Sequence, residues 1–206
     1  MTRKTSFTTF VIAASAVALA ACSPRDAPVD NAAGANDVAV DNAATGNSAA
    51  GSAMAGVPQS FNFIGGDGAL LGSVMVSEDR SGLVMNVNGV AMPAGVHGIH
   101  LHEKGLCDGP RFESAGGHWN PGAKQHGRDN PAGAHAGDLA NLTVAADGSA
   151  IVSVPIAGAM MASGTMMLAD ADGTALVVHA KPDDYKTDPS GNSGDRIACA
   201  VIAPPK

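Results

Sequence analysis

The stretch GVHGIHLHEKGLC, residues 95–107, decides how the rest of the chain reads. Its first eight residues have the pattern of a strand, in which successive side chains point to opposite faces. His100 and His102 therefore share a face, with Cβ atoms about 6.5–7 Å apart. At that separation two imidazoles can converge on one metal ion. His97 has the other parity and shares its face with Ile99 and Leu101, which read as core. The spacing divides the three histidines into a candidate chelating pair and one buried, hydrogen-bonded ring.

Outward from this stretch the pattern stays period two. Strands are expected at 60–64, 69–77, 82–90, 95–102, 139–145, 149–156, 174–180 and 196–202. Leu70, Val74 and Val76 alternate onto one face, as do Leu83, Met85 and Val87, and again Val152, Val154 and Ile156. Turn signals such as Gly66-Asp67-Gly68 and Asp147-Gly148 separate them. No segment has a helical period. The expected fold is all-β: a Greek-key, eight-stranded β-sandwich or barrel.

Two intervals break the meander. Residues 103–138 and 180–195 are long and carry no strand pattern, which in a compact domain marks functional or disordered loops. The first holds Cys107, His118, His126 and His135; the second begins just after His179 and ends at Arg196. Histidines gathered into one loop argue against disorder. His179 itself closes a strand in which Leu176 and Val178 take one face and Val177 and His179 the other.

The chain has 206 residues, and they fall into three parts. Residues 1–21 have a basic start, Arg3 and Lys4, and an apolar run from Phe10 to Ala21. A bilayer span needs about 20 apolar residues, so the run fits a secretory signal peptide better than an anchor. It ends in Leu19-Ala20-Ala21-Cys22, which resembles the lipobox of bacterial lipoproteins. The resemblance implies cleavage before Cys22, a lipid on its sulfur and membrane attachment through that lipid. By the same resemblance Ser23, neither acidic nor large, implies passage to the outer membrane rather than retention at the inner one. Residues 22–58 are Ala, Asn, Gly and Asp with no aromatic, and cannot bury enough surface to offset their ordering entropy. They read as a disordered low-complexity tether with a reach on the order of 30 Å. Residues 59–206 make one domain of ordinary size.

Without Arg3 and Lys4 the chain keeps ten basic side chains against nineteen acidic ones, a formal charge of −9. Nucleic acid is excluded as a partner on charge, and the scarcity of aromatics argues against base stacking. Of the three cysteines, Cys22 is accounted for by lipid. An even pair, Cys107 and Cys199, suggests a disulfide in an exported chain, two buried thiols being the alternative. Closing so long a loop corresponds to roughly 4–5 kcal/mol in the chain-entropy model.

Taken in order, His97-Gly-Ile-His-Leu-His-Glu103, Gly116-Gly-His-Trp-Asn-Pro121, His135-Ala-Gly-Asp-Leu139 and Gly191-Asn-Ser-Gly-Asp-Arg-Ile-Ala-Cys199 closely resemble the copper–zinc superoxide dismutases, in particular the bacterial periplasmic branch. The resemblance covers about residues 58–203. It implies one copper and one zinc ion per subunit and superoxide anion as substrate. Further, it implies that His100, His102, His118 and His179 hold copper and that His118, His126, His135 and Asp138 hold zinc, with His118 shared. Arg196 takes the role of the substrate-guiding arginine and His118 that of proton carrier. Asp183 becomes the carboxylate tying the two sites together, His97 the structural histidine, and Cys107–Cys199 a disulfide. Bacterial members include dimers; the sequence here does not choose between a monomer and a homodimer.

Donor chemistry agrees on the metals. Four imidazoles without sulfur suit a tetragonal copper site, and three imidazoles with one carboxylate suit closed tetrahedral zinc. Trp119 stands where Phe is more usual, and Asp195 adjoins Arg196, where it can weaken the arginine's field. Lys181 and Lys186 read as solvated charges. The expected function is dismutation of superoxide to oxygen and hydrogen peroxide, protecting the cell envelope. The alternatives are an anchored metal buffer without turnover and an adhesion module, which has no use for paired metal sites.

Overall fold

The computed structural model describes residues 57–206. The segments expected to be a leader at 1–21 and a tether at 22–58, with Cys22, lie wholly or almost wholly outside the described residues.

Among the described residues nine strands form: β1 (Gln59–Gly65), β2 (Leu70–Asp79), β3 (Gly82–Gly89), β4 (Gly95–His97), β5 (Ile99–His102), β6 (Leu142–Val144), β7 (Ala150–Ala157), β8 (Thr174–His179) and β9 (Arg196–Ala203). Helical content there is one 3₁₀ turn, Glu113–Ala115, and no helix is long and apolar enough to cross a membrane. Seven strands build one antiparallel sheet in the order β5-β8-β9-β1-β2-β3-β7, and β4 pairs with β6 beside it. The step from β3 at one end to β5 at the other, with the return to β7, is the over-the-top connection of a Greek key. Ile99 and Leu101 of β5, Leu142 and Val144 of β6, and Val154 and Ile156 of β7 all join one core cluster, so the sheet curls round a shared interior.

Two segments differ from the sequence expectation. Residues 95–102 are two strands. Gly98 donates its N–H to the Lys181 carbonyl and accepts from His179 N–H, which hands the chain from β6 to β8. The strand expected at 139–145 is shortened to Leu142–Val144 because Asn141 N–H goes to the Tyr185 hydroxyl instead of a ladder.

The second face of the β5-β8-β9 end carries the chemistry. There His100 stands opposite Val177, and His102 opposite Ala175. Ala175, Val177 and Cys199 pack under Phe112 and Ala115 of the long loop, forming a small apolar cluster separate from the main core. The Cys107–Cys199 disulfide, with Cα atoms 5.7 Å apart, staples that loop to β9.

Replacing both cysteines with serine is predicted to lower unfolding stability by about 2–5 kcal/mol, read as a shifted urea midpoint. An unchanged midpoint would show that the small cluster holds the loop unaided.

Candidate metal centre

The long loop reaches the histidines by pairing with the free edge of β5. Trp119 N–H donates to the Leu101 carbonyl (2.8 Å), Leu101 N–H to Gly137 (3.0 Å), and Gly137 N–H to Trp119 (2.9 Å). These bridges put His118 beside His102 and Asp138 beside His100. Gly137 admits no side chain, since a Cβ there would collide with the Leu101 carbonyl. Trp119 itself is buried in the main core and braces this junction.

Two donor sets result. Ring nitrogens of the buried His100, His102, His118 and His179, able to hold one ion, lie within 4.8 Å of one another, as do donor atoms of His118, His126, His135 and Asp138, the last two half-buried. In the first set each ring has one nitrogen occupied and one aimed inward. His102 Nδ1–H donates to the Gly116 carbonyl (3.0 Å) and His179 Nδ1–H to Gly194 (3.2 Å). His100 Nε2–H donates to Asp183 Oδ2 at 2.8 Å, which leaves His100 Nδ1 buried without a partner. Hydrogen bonds of this kind fix tautomer and ring orientation at metal-binding histidines.

In the second set three ring nitrogens crowd one oxygen. Nδ1 of His118, His126 and His135 lie 2.9, 3.0 and 3.1 Å from Asp138 Oδ1. A carboxylate oxygen has only two lone pairs, and the His126 contact lacks hydrogen-bond geometry, leaving His126 Nδ1 unpartnered. The His118–His135 nitrogen separation is 3.4 Å. Four donors about 2.0 Å from a tetrahedral zinc ion are about 3.3 Å apart, so this crowding is the edge pattern of a coordination shell. His118 belongs to both sets: its Nδ1 faces Asp138, while its buried Nε2 has no hydrogen-bond partner and its ring centroid is 4.0 Å from that of His100. Asp183 joins the sets from behind, accepting from His100 Nε2 through Oδ2 and from His126 Nε2 through Oδ1 (3.0 Å).

Burial pushes His118 down to about 4 and His179 down to about 3, with repulsion from His100 adding to both and Asp138 partly offsetting the first. His102 is held well below its usual value by burial and by His118. The lone pairs of these three rings are therefore free at neutral pH. His126 goes the other way: burial opposes its charge, but Asp138 and Asp183 together outweigh it and raise His126 to about 9. Burial opposes ionisation of Asp138 as well, yet the His118 hydrogen bond, the close approach of His126 and the Gly127 N–H hold its carboxyl far below the usual range.

Arg196, half-buried, donates from Nη1 to the Phe112 carbonyl (2.7 Å) and from Nη2 to Gly116 (2.6 Å). With His102, His118, His179, Pro189 and Gly194 it lines a pocket open to solvent. Asp195 is exposed and makes no ion pair with it among the described residues. His97 reaches the His179 carbonyl (2.8 Å) and Pro93 (2.9 Å), buckling β4 to the end of β8.

Residues 70–202 match the family described as copper/zinc superoxide dismutase. The chain belongs to this family. It is 44% identical over 140 residues to superoxide dismutase [Cu-Zn] of Caulobacter vibrioides, covering 66% of this chain and 80% of that one. To superoxide dismutase [Cu-Zn] 2 of Aquifex aeolicus it is 42% identical over 138 residues, covering 66% and 81%. The crystal structure of a SOD-like protein from Bacillus subtilis superposes with a TM-score of 0.68 at 38% identity, covering 71% and 99%. Copper and zinc are the cofactors of a copper/zinc superoxide dismutase, and the orphaned buried nitrogens and crowded Asp138 of this chain fit two such ions.

Sequence reading alone missed the acceptors that aim the rings. The Gly116 and Gly194 carbonyls are backbone atoms and carry no side-chain signature. Asn141, whose side chain clamps the backbone of Asp183, also went unseen.

With its value near 9, His126 carries a proton at pH 7 that a cation on Nδ1 must displace. Zinc uptake by the metal-free protein is predicted to release about one proton there and to tighten as pH rises toward 9. Calorimetry in buffers of different ionisation enthalpy measures this; no release would mean that His126 is already neutral.

Proposed function

We propose that the chain is an exported, lipid-anchored superoxide dismutase of the cell envelope, with His100, His102, His118 and His179 on copper and His118, His126, His135 and Asp138 on zinc. The reading of residues 1–21 as a signal peptide, Cys22 as the lipidated residue, 22–58 as a tether and 59–206 as the catalytic domain belongs to the same proposal. The observation that carries it is His118, with one nitrogen in each donor set.

The reaction converts two superoxide anions and two protons into dioxygen and hydrogen peroxide. Copper, when bound, supplies the one-electron chemistry by alternating between its two oxidation states. The residues do the rest. Arg196 presents a charge at the pocket beside His102 and His118, and its two carbonyl partners keep the guanidinium in place without neutralising it. On a chain of formal charge −7 the attraction for an anion must be local, and a charge focused in a cleft raises the encounter rate. His118 Nε2 is the nitrogen that takes up a proton and yields it to the substrate, while Nδ1 remains fixed opposite Asp138. Gly116 and Gly194 hold His102 and His179 so that their Nε2 atoms stay aimed inward.

A metal buffer is the competing reading, because a full donor set also stores metal. Arg196 lining the open pocket favours turnover, since storage needs no anion guide. Assaying the metal-loaded domain for dismutation, with metal analysis alongside, separates the two; inert protein holding both ions would favour the buffer. His118→Ala is predicted to lose about 100-fold or more of the turnover while still binding copper, and full activity would end the bridging role. Arg196→Glu is expected to slow the enzyme by about tenfold or more, and the wild-type rate should fall as ionic strength rises. A rate indifferent to salt would remove the steering argument.

A further inference from the structure

Outside both donor sets, one residue touches the segment that follows His126, the segment that follows Asp138 and the loop that carries Asp183. Tyr185 has φ of 61°, in the left-handed region, where a bulky residue sits only when its surroundings over-determine it. Four contacts do so here. Its N–H donates to Asp183 Oδ1 (2.7 Å), and its carbonyl accepts from Asp129 N–H (3.0 Å). The phenol oxygen accepts from Asn141 N–H (2.8 Å), and the ring lies 3.7 Å beneath the Arg128 guanidinium carbon. Asn141 completes the arrangement: its Oδ1 accepts from Asp183 N–H (2.8 Å) and its Nδ2 donates to the Asp183 carbonyl (3.0 Å). A Cβ on Gly127 would collide with the Tyr185 carbonyl, so the two loops meet backbone to backbone.

Position in the chain gives these contacts their meaning. Arg128 and Asp129 directly follow the His126-Gly127 pair, Asn141 lies just beyond Asp138, and Asp183 bonds His126 from behind. His126 is fully buried. Moving the 126–130 segment or the 183–188 segment, the two that meet over His126, breaks the contacts of Tyr185.

We propose that Tyr185, with Arg128 stacked on it, is a positioning residue that governs zinc retention. The pair is a latch between the two long loops, closed while the His118–His126–His135–Asp138 set is filled. This rests on the reading of that set as the zinc site. The other residues of the copper set lie on β5 and β8, whose ladders the sheet holds, and of these His100 is linked to the latch through Asp183.

The test follows zinc and copper release from the loaded domain into a chelator, in wild type and in Tyr185→Phe, Arg128→Gln and Tyr185→Gly. Phenylalanine keeps the ring and loses the hydroxyl; glutamine keeps the hydroxyl contact and loses the stacked cation. Glycine removes both contacts and also relieves the strained φ. Zinc release about tenfold faster in Tyr185→Phe, in the range seen when outer partners of metal ligands are lost, is the expected result. Release should be fastest in Tyr185→Gly and intermediate in Arg128→Gln, with copper release accelerated far less than zinc release. Tyr185→Gly holding zinc as long as wild type would overturn the latch, because a purely conformational role predicts that. Equal acceleration for copper and zinc would also overturn it, as general loosening. Wild-type protein that takes up no zinc would overturn the ligand reading, and the latch with it.

Discussion

The ring of His118 poses the problem that the surrounding structure answers. It is almost wholly buried, and its Nε2 has no hydrogen-bond partner in the protein. Leaving a buried polar atom unsatisfied costs about 1–3 kcal/mol, and His100 Nδ1 and His126 Nδ1 share the condition within the same small volume. Three orphaned imidazole nitrogens side by side are an unstable arrangement for a protein alone and a natural one for a protein around cations. The outward sides of the rings are committed: Gly116, Gly194 and Asp183 accept from His102, His179 and His100, so the second nitrogen of each of these rings faces inward.

This arrangement depends on the edge of β5. Because β5 ends the sheet, its outer backbone groups are free to pair with the loop that leaves it and returns, and that pairing brings His118 and Asp138 alongside His102 and His100. The disulfide and the Phe112 cluster then press the same loop against β9. Gly116 ties the consequences together. Its carbonyl accepts from both His102 and Arg196, so the ring and the charge beside the pocket are registered to one atom.

Much of this was legible before any coordinates. Period-two alternation placed the strands, and parity alone separated His97 from His100 and His102. The histidine-bearing loops stood out because they lacked a pattern. What escaped was of two kinds. Gly98 breaks the strand at 95–102 because its backbone is bonded to Lys181 and His179 across the chain, a partnership that no local pattern carries. Asn141 looks like the continuation of a strand, yet its side chain is engaged with Asp183, more than forty residues on. The sharing of His118 was an expectation of family resemblance rather than of spacing. A histidine in a loop has no parity, and only the fold shows where its two nitrogens point.

The account is tested most directly by locating both ions in a crystal of the loaded domain, using anomalous scattering at the copper and zinc absorption edges. It predicts one ion of each element on opposite nitrogens of the His118 ring, with Asp138 bound on the zinc side alone. A single ion, or two ions with His118 bound through only one nitrogen, would contradict it.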